Sequence, residues 1–133
     1  MPQRVLAEQV GLSQNACWRR IKAMKDDGTI LGETVRLDPK KLGLAVTVFV
    51  LIKTRQHSDV WPEQFRDRVL DIPQIVDFFR IAGEYDYMIK VVAKDMNDFD
   101  MVYQGLIKNE ALESVTSHIT METLANNRGM PIG

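Results

Sequence analysis

Arg19, Arg20 and Lys22 stand within four residues of one another, just after the polar pair Gln14-Asn15. Cations at that spacing neutralise phosphates, and short polar side chains at a helix start can reach base edges. The flanking grammar agrees. Leu6, Ala7 and Val10 share one face of a short helix. Gly11 fits the position past a helix end where positive φ is needed. Ser13 is a candidate N-cap, with Ala16 three residues on, so no capping box forms. In the second helix Cys17, Ile21 and Met24 fall on one side, and Gln14, Asn15, Trp18, Arg19 and Lys22 are left outside. This is the layout of a helix-turn-helix, whose second helix enters the DNA major groove. A solvated helix face is the plain alternative for the cations, and a brace against the helix the plain alternative for Trp18.

Other chemistries leave little trace. The histidines are His57, in a polar stretch, and His118, in a β-prone one. There is no CxxC, no HxxxH, no glycine-rich phosphate loop and no Ser-His-Asp signature. No catalytic residue, metal or cofactor is expected, and the chain reads as a non-enzyme. The lone Cys17 excludes an internal disulfide and suits a reducing cytoplasm; it reads as a small buried hydrophobe.

The elements that position these residues follow from periodicity. Asp26-Asp27-Gly28 ends the second helix. Thr29 to Leu37 is β-prone and predicts a strand that wings the first module and leads out of it. Asp38-Pro39-Lys40-Lys41 is a turn and Leu42-Gly43 closes a linker. Leu44 to Lys53 is nearly all apolar and β-branched, a buried central strand. Trp61, Phe65 and Val69 mark a helix, with Pro62 tolerated in its first turn. Ile75 to Ile81 and Tyr85 to Ala93 predict a hairpin turning at Gly83-Glu84. Asp95 or Asn97 caps a helix carrying Phe99, Val102, Tyr103, Leu106 and Ile107, and Val115 to Thr123 is a last strand. The order β-α-β-β-α-β predicts a split βαβ, ferredoxin-like sheet with both helices on one face.

Composition fits a folded chain of 133 residues, 45% apolar and 26% charged, with net charge -1. The first 30 residues carry five Lys/Arg against three acids; the remainder is acidic. No apolar run reaches the ~20 residues of a membrane helix. No apolar segment follows Met1-Pro2-Gln3-Arg4, so no secretory signal is expected.

Five segments together resemble the leucine-responsive/asparagine-regulator (Lrp/AsnC) family of prokaryotic transcription regulators: Leu6 to Ser13, Cys17-Trp18-Arg19-Arg20-Ile21, Leu37-Asp38-Pro39, Leu42-Gly43-Leu44 and Ala82-Gly83-Glu84-Tyr85-Asp86-Tyr87. The resemblance implies an α+β chain. It consists of a winged helix-turn-helix at residues 1–38, a ferredoxin-like effector-binding and oligomerisation domain at 39–124, and a loose tail at 125–133. Family members carry a further helix ahead of the stretch equivalent to Val5; the sequence opens almost directly on the second, so a partial DNA-binding domain is expected.

The resemblance further implies double-stranded DNA as partner, with Ser13, Gln14, Asn15, Trp18, Arg19, Arg20 and Lys22 at the duplex. It implies a homodimer formed through the sheets, assembling to an octamer or similar ring, and a small amino-acid effector bound where dimers meet. Its effector residues fall on Ala82, Gly83, Tyr85, Asp86, Tyr87, Met96, Ser117, His118, Ile119 and Thr120. The chemistry is consistent: N–H groups at a glycine turn hold a carboxylate, Asp86 pairs with an ammonium, and Tyr85 offers a wall with a polar tip. A hairpin in which Asp86 merely satisfies backbone donors is the plain alternative. His118 stands where relatives often carry a larger hydrophobic or aromatic residue, a place to tune ligand choice. A sensing and assembly module without autonomous DNA binding stays open as the second reading.

Overall fold

The computed structural model describes residues 11, 13–55, 61–108 and 112–132. The helix expected over residues 5–10, and His57, lie outside these. Contacts divide the chain into two compact units, Met1–Leu37 and Asp38–Gly133.

In the first unit, α1 spans Gln14–Asp26. Ser13 caps it: its extended backbone lets the Ser13 hydroxyl accept from the Ala16 N–H at 3.1 Å. Cys17 is buried at 4% exposure and Ile21 is half-buried, as an inward stripe requires, whereas Met24, expected beside them, is exposed. The end is closed by Gly28 at φ 85° and by the Asp27 carboxylate, which accepts from the Thr29 N–H at 2.9 Å. The Thr29 hydroxyl foremost, and then that backbone bond, hold the Asp27 carboxyl below its ordinary pKa.

The strand expected over Thr29–Leu37 does not form. The stretch has no regular structure, and Leu31 is 98% exposed. A strand needs a neighbour for its N–H and C=O groups. Among the described residues no strand lies beside this stretch, so its alternation has nothing to pair with.

The second unit is a four-stranded antiparallel sheet with two helices. After a 3-10 turn at Lys40–Leu42 come β1 (Val46–Thr54), α2 (Trp61–Leu70), β2 (Ile75–Arg80), β3 (Tyr87–Ala93), α3 (Met96–Ile107) and β4 (Leu112–Ile119). The spatial order is β2-β3-β1-β4, the ferredoxin-like arrangement. Register assigns the faces. Val48, Val50 and Ile52 on β1 pair with Val91, Ile89 and Tyr87 on β3, and this side meets the helices. Phe65 and Val69 from α2, and Phe99, Val102 and Leu106 from α3, complete the core. Phe65, Phe78 and Tyr87 form a ring cluster with centroids 5.2 to 5.8 Å apart. Among the described residues of this unit, no helix packs on the opposite face, with Phe49, Leu51 and Met88.

Two strand ends differ from expectation. β3 begins at Tyr87 rather than Tyr85, because Asp86 is held by its backbone against Ile52 and closes a turn back to Ile81. β4 runs Leu112–Ile119 rather than Val115 to Thr123, because its partner β1 begins at Val46; Thr120 closes the pairing through Thr47, and residues 121–132 are exposed.

Asp95 caps α3 by accepting from the Asp98 N–H at 2.7 Å. Asp98 in turn accepts from the Lys94 N–H at 2.9 Å and from Gln74 Nε2 at 3.0 Å, joining the helix start to the residue before β2.

Candidate functional site

Two groups of residues bear on function, one in each unit. On α1, Gln14, Asn15, Trp18, Arg19, Arg20 and Lys22 are all exposed. Successive helical residues are turned by about 100°. Asn15, Trp18, Arg19 and Lys22 therefore share one stripe, whereas Arg20 falls on its flank, about 100° from Arg19. Lys22 Nζ lies 5.5 Å from the Trp18 ring centroid, a cation–π contact that orders both side chains at the surface. Lys25 is engaged differently: it pairs with Glu33, and that pairing lowers the Glu33 pKa. Among the described residues Arg19 and Arg20 have no acidic partner. Ser13 spends its acceptor on the cap but keeps a hydroxyl proton to donate.

The second group is built around the connection between β2 and β3. Gly83 adopts φ 135°, a conformation that side-chain-bearing residues rarely take. The connection is fastened at four points. Ile81 N–H donates to the Asp86 carbonyl at 2.9 Å, and Asp86 N–H donates to the Ile52 carbonyl at 2.8 Å. Asp86 Oδ2 accepts from the Thr54 N–H at 2.8 Å and from Thr54 Oγ1 at 3.0 Å. Tyr85 reaches across β1 to place its hydroxyl 3.5 Å from Thr116 Oγ1 on β4. Ala82, Gly83 and Glu84 remain exposed at the tip. Thr54 was missed by sequence reasoning, yet it left a signal. It shares the parity of Val48, Val50 and Ile52, so its hydroxyl points inward and needs a partner.

The remaining expected effector residues lie elsewhere. Thr120 donates through N–H at 2.9 Å and Oγ1 at 3.1 Å to the Thr47 carbonyl. Asp86 is fixed at Thr54 and Thr120 at Thr47, seven residues apart on β1. At ~3.3 Å per residue that is about 23 Å along the strand. Met96, at the start of α3, follows the far end of β3 and sits at the Thr120 end of the sheet. Register sorts the β4 residues. Ser117 pairs with Val50 and Ile119 with Val48, on the helix side; His118 pairs with Phe49, on the open side. The Ser117 hydroxyl is buried with no hydrogen-bond partner. Tyr87 belongs to the ring cluster beneath α2. One protomer thus gathers Ala82 to Asp86 at one end, and Met96 with Ser117 to Thr120 towards the other.

Among the described residues no group of three or more His, Cys, Asp and Glu side chains has the spacing to hold a metal, and no helix is long and apolar enough to cross a membrane.

Comparison with known proteins accounts for both units. Residues 47–130 match the Lrp/AsnC ligand binding domain, and residues 1–30 match a winged helix-turn-helix DNA-binding family. The chain is 42% identical over 130 residues to the DNA-binding transcriptional activator DecR of Escherichia coli, covering 97% of this chain and 86% of that protein. It is 38% identical over 127 residues to the glutamate uptake regulatory protein of Zymomonas mobilis, covering 96% and 77%. Among solved structures, an AsnC family transcriptional regulator from Agrobacterium tumefaciens superposes with a TM-score of 0.90 at 37% identity, covering 98% of this chain and 86% of that one. A transcriptional regulator from Neisseria meningitidis, solved as its L-Met complex, gives a TM-score of 0.90 at 26% identity, covering 98% and 85%.

Proposed function

The chain belongs to the Lrp/AsnC family and is a DNA-binding transcription regulator, and from that premise we propose that it is controlled by a small amino acid bound between copies of itself. Asn15, Arg19 and Lys22 on the exposed stripe of α1 meet the duplex, with Ser13 and Gln14 at the helix start, Trp18 ordering Lys22, and Arg20 reaching a phosphate from the flank. The open sheet face pairs two protomers, and pairs assemble further, an octamer being the expected ring. Such an assembly acts in the cytoplasm, where its DNA is, and carries no catalytic step.

The observation behind the effector reading is the separation along β1. In one protomer Asp86, bonded to Thr54, and Thr120, bonded to Thr47, are held about 23 Å apart. A molecule the size of an amino acid does not span that distance. If both groups contact one effector, they come from different copies. The exposed Gly83 tip then offers backbone N–H groups to a carboxylate, and the exposed His118 and Ile119 at the end of β4 meet it from the other copy. Such a ligand favours one assembly over another, which is what regulation requires.

The test is fluorescence anisotropy of a labelled DNA fragment, titrated with the chain across salt concentrations and a panel of amino acids. A steep salt slope, shifted by at least one amino acid, is expected. Binding without salt dependence would remove α1 from the interface, and indifference to every amino acid would remove the effector.

A further inference from the structure

A cleft separate from the Gly83 tip opens between α2 and the edge of the sheet. Pro62, Glu63 and Arg66 from the first turns of α2 form one wall; Phe78 and Arg80 on β2 and Tyr87 on β3 form the other, enclosing about 260 Å³. Its placement follows from register. Arg80 pairs with Tyr87 across the hairpin, and Phe78 lies two residues along on the same side, so all three face α2. Phe78 and Tyr87 are half-buried and packed at 5.6 Å, forming an aromatic floor. Arg66 and Arg80 approach from different elements. Among the described residues neither guanidinium has a hydrogen bond or an ion pair, and the Glu63 carboxylate has none either.

We propose that this cleft is a second ligand site on each protomer, for a small carboxylate with an apolar body: an amino acid or the corresponding 2-oxo acid. Two guanidinium groups over one concavity suit a carboxylate, because each presents a planar fork of donors that matches its two oxygens. The floor of Phe78 and Tyr87 takes the apolar body by burial and ring stacking. Glu63, beside Arg66 on the α2 wall and across from Arg80, distinguishes the two sources: it pairs with the ammonium of an amino acid and has no partner on a 2-oxo acid. The site does not depend on the effector role of residues 82–86, since it uses none of them and shares only Tyr87 with the expected effector residues.

Isothermal titration of the full chain with L-phenylalanine and with phenylpyruvate tests it. At least one probe is expected to bind saturably. Arg66→Ala with Arg80→Ala is expected to weaken that event about tenfold or more, the usual scale for losing charge-assisted hydrogen bonds. Both residues are exposed, so the melting temperature stays in place. Glu63→Gln identifies the source: a selective loss of L-phenylalanine marks an amino-acid site, and unchanged phenylpyruvate binding marks a 2-oxo-acid site. Gly83→Val, which strains the other tip, leaves the event intact. The proposal is overturned if neither probe saturates, if the double arginine variant binds as the parent does, or if Gly83→Val alone abolishes binding. Failure of the effector reading would show separately, in DNA binding that no amino acid shifts.

Discussion

Asp86 and Thr54, 32 residues apart in sequence, are joined twice: one carboxylate oxygen accepts from both the backbone N–H and the hydroxyl of Thr54. Thr54 is buried at the end of β1, so these bonds satisfy donors that water does not reach. The Gly83 tip is therefore held by the residue most suited to meet an ammonium. Asp86→Ala is expected to cost about 1–3 kcal/mol, because it strands both Thr54 donors. Thr54→Val removes one bond and leaves the Asp86 carboxylate in place. Urea unfolding measures the cost, and DNA binding with and without amino acid measures the response. A positioning role for Asp86 predicts that Thr54→Val dulls the response alongside stability. A response lost in Asp86→Ala at full stability would instead make Asp86 a direct ligand.

The stripe on α1 makes a graded prediction for DNA. Each phosphate contact removed lowers the slope of log affinity against log salt by about 0.9. Arg19→Ala and Lys22→Ala are each expected to flatten the slope by that amount, on specific and non-specific DNA alike. Arg20→Ala, on the flank, is expected to do less. Anisotropy titrations between low and moderate salt decide it; equal effects at Arg19 and Arg20 would mean that the duplex wraps the helix more widely than one stripe.

Much of the fold was legible because period and composition carried it. The run from Val46 to Thr54 is apolar and β-branched, and only a central strand suits it. Phe99, Val102 and Leu106 repeat as one buried helix face, with Asp95 at the cap. Thr29 to Leu37 shows the limit: it is β-prone and alternates in part, but pairing is decided by what lies beside it. The same holds for β4, whose span is set by the length of β1. The candidate site was legible by residue type and illegible in grouping. Gly83 announces a turn, but nothing in one dimension says that Asp86 is already engaged by Thr54, or which of Ser117 and His118 faces the helices.

Asp98 gives a pH dependence with a defined sign. Its carboxylate accepts from the Lys94 N–H and from Gln74, and these bonds, the Lys94 one foremost, hold its pKa below the ordinary value. A group depressed in the folded state stabilises fully above its unfolded pKa, ~3.9, and loses that contribution as pH falls through the lower, folded value. Urea unfolding repeated from pH 6 downward is expected to show stability falling more steeply below pH ~4 in the parent than in Asp98→Asn. Parallel curves would mean that the two hydrogen bonds do not persist in solution.

The open sheet face predicts assembly. Phe49, Leu51, Met88 and Phe79 lie on the side that no helix covers, across three strands in register. Phe79 is half exposed, and a contiguous apolar patch of this kind marks a contact surface. Leu51→Lys places a charge in its centre, beside Met88 and Thr116. Sedimentation velocity is expected to show dissociation to smaller species, with unchanged circular dichroism, since Leu51 takes no part in the helix-side core. An unaltered assembly would move the protomer contact to another surface.

If the effector sits between copies, lesions in different halves of the site should complement. Tyr85→Ala acts at the Gly83 end; Thr120→Val removes the hydroxyl bonded to the Thr47 carbonyl at the other end without changing side-chain shape greatly. Each variant alone carries the same lesion at every site and is expected to lose its response to amino acid. Co-assembled, the two place a fraction of sites between a copy with intact Tyr85 and a copy with intact Thr120, and a partial response should return. The readout is DNA affinity with and without amino acid for each pure variant and for the refolded mixture. Recovery requires a site shared between chains, because no exchange of subunits repairs a site within one chain. A mixture as unresponsive as its components would place the whole effector site within a single protomer, and the separation along β1 would then exclude one of the two groups from it.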